Sequence, residues 1–164
     1  MLVLPQSVYK AYDIRGTVPE QINGDFAFLL GRALGQRALQ LKHSKIVIGF
    51  DGRHSSPVLA QQLSAGIRDQ GVHVINLGMV PTPLVYFYTY HFSFGAAVAI
   101  TGSHNRADYN GFKMRIEGQA AYGDIETRMD SHFEKILQAI PAEKREQVIE
   151  SLDLFTTALK NVQQ

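Results

Sequence analysis

Positions 101–113 read T-G-S-H-N-R-A-D-Y-N-G-F-K, and most of the residue types able to do chemistry gather there. An apolar run ends at Thr101, Gly102 lets the backbone turn, and Ser103 is presented at the strand's carboxyl end. The G-x-S-x-G setting of hydrolase serines is missing. His104 is adjacent in sequence, where side chains usually diverge, which makes it a poor base for that same serine. The charges point elsewhere. His104, Arg106 and Lys113 surround one hydroxyl, and Arg15 and Arg53 stand in other loops able to face the same edge. Cations around a serine suit a phosphorylated side chain or a bound phosphate better than an acyl-enzyme. Ser, His, Asn and Asp are also ordinary turn residues, so the residue types alone leave a plain polar turn open beside the phosphate reading.

The surrounding elements must place this loop. Residues 25–41 carry Phe26, Leu29, Leu30, Ala33, Leu34, Ala38 and Leu41 at helical spacing, with Asn23 or Asp25 able to cap the first turn. Gly31 and Gly35 stand one turn apart there, which predicts close approach to a neighbouring element. Residues 45–50 (K-I-V-I-G-F) form a buried strand, followed by a polar turn and a helix to about residue 70, capped by Ser55 or Ser56 with Pro57 in its first turn. A second strand spans 72–77. Residues 84–92 are aromatic and ambiguous, and the Thr82-Pro83 start with the alternation of layers favours helix. Strands at 96–101 and 111–116 follow, then a helix at about 125–139. Past Pro141, Val148, Leu152, Phe155, Leu159 and Val162 make one apolar helical face.

Apolar strands alternating with helices predict an α/β fold, a three-layer α/β/α sandwich with a mostly parallel mixed sheet of about four strands. Right-handed crossovers gather the loops at 51–57, 78–83 and 102–110 along one sheet edge, where ligands of such folds collect.

Composition narrows the classes. The chain has 164 residues, 45% hydrophobic, with 16 basic and 15 acidic side chains for a net charge of +1. That length suits one domain that buries roughly 70% of its unfolded surface. Near-neutrality argues against nucleic acid as a partner. The absence of cysteine removes thiolate chemistry and Cys-based zinc sites. No segment reaches the ~18 apolar residues of a membrane span. The start has no basic n-region and Pro5 breaks its short apolar run, so no signal peptide is expected and the cytoplasm is the expected address. The histidines show no H-E-x-x-H spacing, and no G-x-G fingerprint or Walker loop occurs.

Four blocks stand in a fixed order: Y-D-I-R-G (12–16), G-F-D-G-R-H-S-S-P (49–57), T-G-S-H-N (101–105) and Y-N-G-F-K (109–113). With them the sequence resembles the α-D-phosphohexomutases, the phosphomannomutase/phosphoglucomutase family, and in particular their first domain, over residues 9–140. The resemblance implies a reversible phosphoryl transfer that interconverts hexose 1-phosphate and 6-phosphate through a hexose 1,6-bisphosphate. Ser103 matches the family's phosphoserine, which would also hold Mg²⁺ through its phosphate. Lys113 matches a general acid/base, and Arg15 the arginine that faces the phosphoserine. His104 and Tyr12 would shape the pocket, Asn105 would hold the loop, and Arg53 would bind loop or substrate.

Two residues depart from the pattern. Arg106 stands where the family usually has proline, which puts the loop's rigidity in question, and Phe50 occupies a place often held by arginine. No D-G-D-x-D metal loop is found. Residues 1–140 therefore read as the serine domain and 141–164 as the start of a link to a second domain. The missing domains of the same polypeptide are the expected partners, and the chain alone is expected to be inactive. A non-catalytic module holding a phosphate or a partner is the alternative, and a serine hydrolase a third reading.

Overall fold

The computed structural model describes residues 6–10, 13–117 and 119–120. Tyr12 and the segments expected to be helical at 125–139 and 148–162 lie outside these residues. The described elements run β1 (Ile14–Thr17), α1 (Gly24–Gln40), β2 (Lys45–Phe50), α2 (Ser56–Asp69), β3 (His73–Met79), α3 (Thr82–His91), β4 (Ala96–Ile100), β5 (Tyr109–Ile116) and β6 (Gln119–Ala120).

They build one sheet of order β1-β5-β4-β2-β3, with β6 added beside β5. Strands β3, β2 and β4 are mutually parallel, whereas β5 runs antiparallel to β4, β1 and β6. The α/β sandwich is as the sequence predicts, but the sheet has six strands where about four were expected. The extra strands carry little signal. β1 is four residues, I-R-G-T, with a single large apolar side chain, and β6 is two residues long. Both exist because β5 offers its outer edge, pairing with β1 through Tyr109–Phe112 and with β6 through Arg115 and Ile116.

Pleating sorts the strand residues onto two cores. Ile46, Ile48 and Phe50 of β2, with Ala96, Val98 and Ile100 of β4 and Phe112 and Met114 of β5, face α1 and α2. Val47, Ala97 and Ala99 face α3. Helices on both faces explain why β2 and β4 are apolar throughout. The face toward α3 is lined by small residues, and a Cβ at Gly49 would come within 2.6 Å of Val80 and Val85. That shallow floor is filled by the buried rings of Tyr86 and Phe87, so the aromatic run forms a helix despite its strand-like composition. Phe50 is buried among the α1/α2 core and turns away from the loop edge.

Helix α1 starts where Asn23 Oδ1 accepts from the Phe26 amide at 3.0 Å. Its two glycines do what their spacing suggests. A Cβ on Gly31 would lie 2.2 Å from the Leu63 carbonyl oxygen of α2, and one on Gly66 would lie 2.0 Å from that of Phe28. The two backbones touch there, with no side chain between them. Gly31→Ala is therefore expected to destabilise the chain by about 1–3 kcal/mol through overpacking, despite alanine's better helix propensity. Urea unfolding measures it, and a stabilised variant would show that the helices can separate without loss.

Helix α2 has its N-cap at Ser55, but that side chain makes no capping bond. The expected N-cap position and the Pro57 start are found, and only the capping bond itself is not made. Both hydroxyls are drawn into the loop edge instead: Asn110 Nδ2 donates to Ser55 Oγ at 2.8 Å and to Ser56 Oγ at 2.9 Å.

Candidate active site

The loops after β2 and β4 meet at the carboxyl edge of the parallel strands. The Asp51 amide donates to the Ile100 carbonyl and the Thr101 amide to that of Gly111, so β2, β4 and β5 enter the edge already tied together. Asp51 sits at its centre. One carboxylate oxygen accepts from Ser56 Oγ at 2.6 Å and the Arg53 amide at 3.1 Å. The other accepts from Thr101 Oγ1 at 2.9 Å and the Gly102 amide at 3.1 Å. Burial pushes the Asp51 pKa up, but the bonds from Ser56, the Arg53 amide, Thr101 and the Gly102 amide outweigh it. The carboxyl therefore titrates below its ordinary value.

Arg53 reaches from the β2 loop across to the serine loop. Its Nη1 donates to the carbonyls of Arg106 (2.5 Å) and Tyr109 (2.9 Å), and its Nη2 to those of Ser103 (3.0 Å) and Asn105 (2.7 Å). Nε lies 3.3 Å from Asp51 Oδ2. This cation serves the loop backbone through four carbonyls, and Arg53 also lines the cleft beside α2.

Ser103 crowns the loop with φ +53, a left-handed conformation uncommon for a residue with a Cβ. Its amide donates to Thr101 Oγ1 at 2.9 Å, and the residue is exposed. Its Oγ lies 3.1 Å from His104 Nδ1. This corrects the expectation that the adjacent histidine diverges from the serine. Divergence belongs to extended backbone, and the left-handed turn at Ser103 swings successive side chains to one side.

Arg15 arrives from β1, opposite Gly111. It forms an ion pair with buried Asp13. With the Asn105 carboxamide oriented to satisfy its surroundings, the Asn105 oxygen accepts from Arg15 Nη1 (3.1 Å) and Nε (3.3 Å). Asn105 thus holds the loop by joining it to β1. Lys113 lies in β5 opposite Ala99, half-buried on the α3 side of the sheet and two register positions short of Thr101. The structure therefore brings Ser103, His104, Asn105, Arg53 and Arg15 into one cluster, with Lys113 on the adjoining strand.

Asp13, Asp51, Thr101, Ser56 and Asn110 also build the edge, and sequence reasoning assigns none of them a site role. Asp13 and Asp51 each stand two residues before an arginine, and that D-x-R spacing was the available signal. Arg106 repeats it in reverse, with Nε 3.4 Å from Asp108. At Arg106 itself, the carbonyl accepts from Arg53 and from the Tyr109 amide.

A cleft of about 540 Å³ opens beside the loop, lined by Asp51, Gly52, Arg53, His54 and Ser55 leading into α2 and by Asn105, Ala107 and Val18. Ser103 does not line it.

The family model for phosphoglucomutase/phosphomannomutase, alpha/beta/alpha domain I, matches residues 6–140. The chain belongs to the phosphoglucomutase/phosphomannomutase family. It is 43% identical over 124 residues to a phosphoglucomutase of Neisseria meningitidis, covering 76% of this chain and 27% of that protein. With a phosphomannomutase/phosphoglucomutase of Pseudomonas syringae it shares 44% identity over 116 residues, 71% of this chain and 25% of the other. The crystal structure of a phosphoglucomutase/phosphomannomutase family protein from Burkholderia thailandensis superposes with a TM-score of 0.70 at 37% identity. It covers 84% of this chain and 31% of that one. The chain thus spans about a quarter of the length of the curated relatives it matches.

Magnesium, implied by the resemblance, finds a poor fit in this phosphohexomutase domain I. Mg²⁺ takes oxygen ligands in near-octahedral array. Among the described residues no group of three His, Asp or Glu could hold a metal. Both oxygens of Asp51, the carboxylate bonded to the serine loop, already accept from four donors. No helix among the described residues is long and apolar enough to cross a membrane.

Proposed function

We propose that this chain is the phosphoserine-bearing domain of a phosphohexomutase that interconverts hexose 1- and 6-phosphates. The observation that carries the reading is the exposed Ser103 Oγ, set 3.1 Å from His104 Nδ1 on a loop pinned by Arg53 and by Arg15 through Asn105.

In the loading step Ser103 Oγ attacks a phosphorus atom of a hexose 1,6-bisphosphate. The new Oγ–P bond forms as the P–O bond to the sugar breaks. His104 takes the serine proton, and the departing sugar oxygen gains one, with Lys113 in the role of donor. A hexose monophosphate leaves, and the reverse step returns the phosphoryl group to either end of a monophosphate. Such transfers depend on positioning and charge neutralisation. Arg15 supplies charge: its three bonds to Asp13 and Asn105 leave two of five guanidinium N–H groups among the described contacts. Tyr12, to which the resemblance gives a pocket role, lies outside the described residues. Metal ligands and sugar-reading residues belong to further domains of a longer polypeptide, and residues 141–164 begin the link to them.

Mixing the chain with glucose 1,6-bisphosphate tests this. A burst of at most one equivalent of glucose monophosphate per chain, without continued turnover, is the expected result. Sustained mutase turnover would refute the incompleteness of the chain, and absence of any burst would refute the phosphoserine role.

The short Ser103–His104 contact also favours a serine hydrolase. Among the described residues, however, no carboxylate orients His104, as a hydrolytic triad requires. Fluorophosphonate is expected to leave Ser103 unlabelled.

A further inference from the structure

The two terminal nitrogens of Arg53 donate to four carbonyls of the serine loop and its exit, and its Nε lies 3.3 Å from Asp51 in an ion pair. The four carbonyls belong to residues 103, 105, 106 and 109, so a single planar group spans the whole loop. Three of them accept within the loop itself and the fourth opens β5, whose strand pairs β1 and β4. The guanidinium also lies flat on Gly102, where a Cβ would come within 2.3 Å of its Cζ. Asp51 holds the same arginine from behind through Nε and through the Arg53 amide.

From this geometry we infer that Arg53 is a positioning residue: its guanidinium is the template on which the loop folds, and it sets Ser103 in its left-handed, outward-facing conformation without touching substrate. A left-handed serine is disfavoured on its own and persists only where the surroundings dictate it. Four carbonyl oxygens converging on one plane would repel one another without a cation between them. Lysine cannot replace the arginine, since one ammonium group cannot reach a fork of four acceptors spread over two nitrogens. The catalytic half of this inference rests on Ser103 being the phosphoryl carrier; the structural half does not.

Arg106 provides a built-in reporter, since its side chain is exposed and trypsin cleaves after it. In the 164-residue chain, Arg53→Ala is expected to be nicked after Arg106 roughly tenfold faster than wild type, or more, because charge-assisted bonds are lost together. Millimolar methylguanidinium, well below denaturing levels, is expected to slow the nicking again, and methylammonium is not. Arg53→Lys should be nicked fast as well, and Gly102→Ala should reproduce the effect from the opposite side of the clamp. The rate of phosphate transfer from glucose 1,6-bisphosphate to Arg53→Ala should fall while its affinity for the bisphosphate stays unchanged.

Nicking of Arg53→Ala no faster than wild type would overturn the inference. So would acceleration at every arginine and lysine together, or rescue by both cations or by neither. Should nicking behave as expected while the wild type accepts no phosphate, the clamp stands and the phosphoserine reading falls. The opposite pattern, phosphate uptake with an unclamped loop, removes the clamp and keeps the reading.

Discussion

Ser103→Gly is expected to accept no phosphate from glucose 1,6-bisphosphate while folding at least as stably as the wild type. The hydroxyl is the proposed acceptor, so its removal takes away the reaction and leaves both loop-pinning bonds of residue 103, which use its backbone atoms. Serine at φ +53 stores strain of roughly 1 kcal/mol that glycine relieves, partly offset by glycine's greater freedom in the unfolded chain. Ser103→Ala should be equally inert to phosphate but keep the strain. Urea unfolding with intact mass measurement separates the two effects. A glycine variant weakened by more than about 1 kcal/mol would show that the side chain supports the fold. The reading of residue 103 as a strained functional position would then lose its basis.

The second large effect belongs to Asp51. Asp51→Asn is expected to cost about 2–4 kcal/mol, because an amide nitrogen would face hydroxyl and amide donors that now meet a carboxylate oxygen. Its pH dependence has a definite sign. The folded-state pKa lies below the ordinary 3.8. The unfolded chain thus binds the Asp51 proton first as pH falls, and the carboxylate's contribution is fully present above the unfolded pKa. It is lost as pH drops through the folded value. Wild-type stability should therefore decline with acid below about pH 4 more steeply than that of Asp51→Asn. Chemical denaturation at a series of pH values checks this, and parallel curves for the two proteins would contradict it.

How far the sequence disclosed these features depends on the range of the interactions involved. Helix α1 was placed within a residue of its observed ends because its apolar spacing and its Asn23 cap are local. Helix α3 was recovered from its proline start against the pull of its aromatic composition. Strand β1 was not seen, since I-R-G-T becomes a strand only by pairing with β5, nearly a hundred residues away. The site divides in the same manner. Motif order points to Ser103, Arg15 and Asn105, and the structure places them in one cluster. The functions of Asp51, Ser56 and Asn110 arise from bonds across the β2–β4–β5 edge, and Asp and Ser in a polar turn look alike whether they bond there or not. His104 was misjudged for a narrower reason. The rule that neighbours diverge assumes extended backbone, and one left-handed residue undoes it. Arg53 is a loop or substrate cation by sequence, and only the structure shows four of its N–H groups bonded to loop carbonyls.

The central claim is that one exposed hydroxyl, backed by His104 and held by the Arg53 clamp, carries the phosphoryl group. Its most direct test is to incubate the wild-type chain with glucose 1,6-bisphosphate, digest it, and assign the added phosphate by peptide mass mapping. A single phosphate is expected, on Ser103, that monophosphorylated glucose can remove again. Phosphate on Ser55, Ser56 or a histidine, or a chain that stays unmodified, would contradict it.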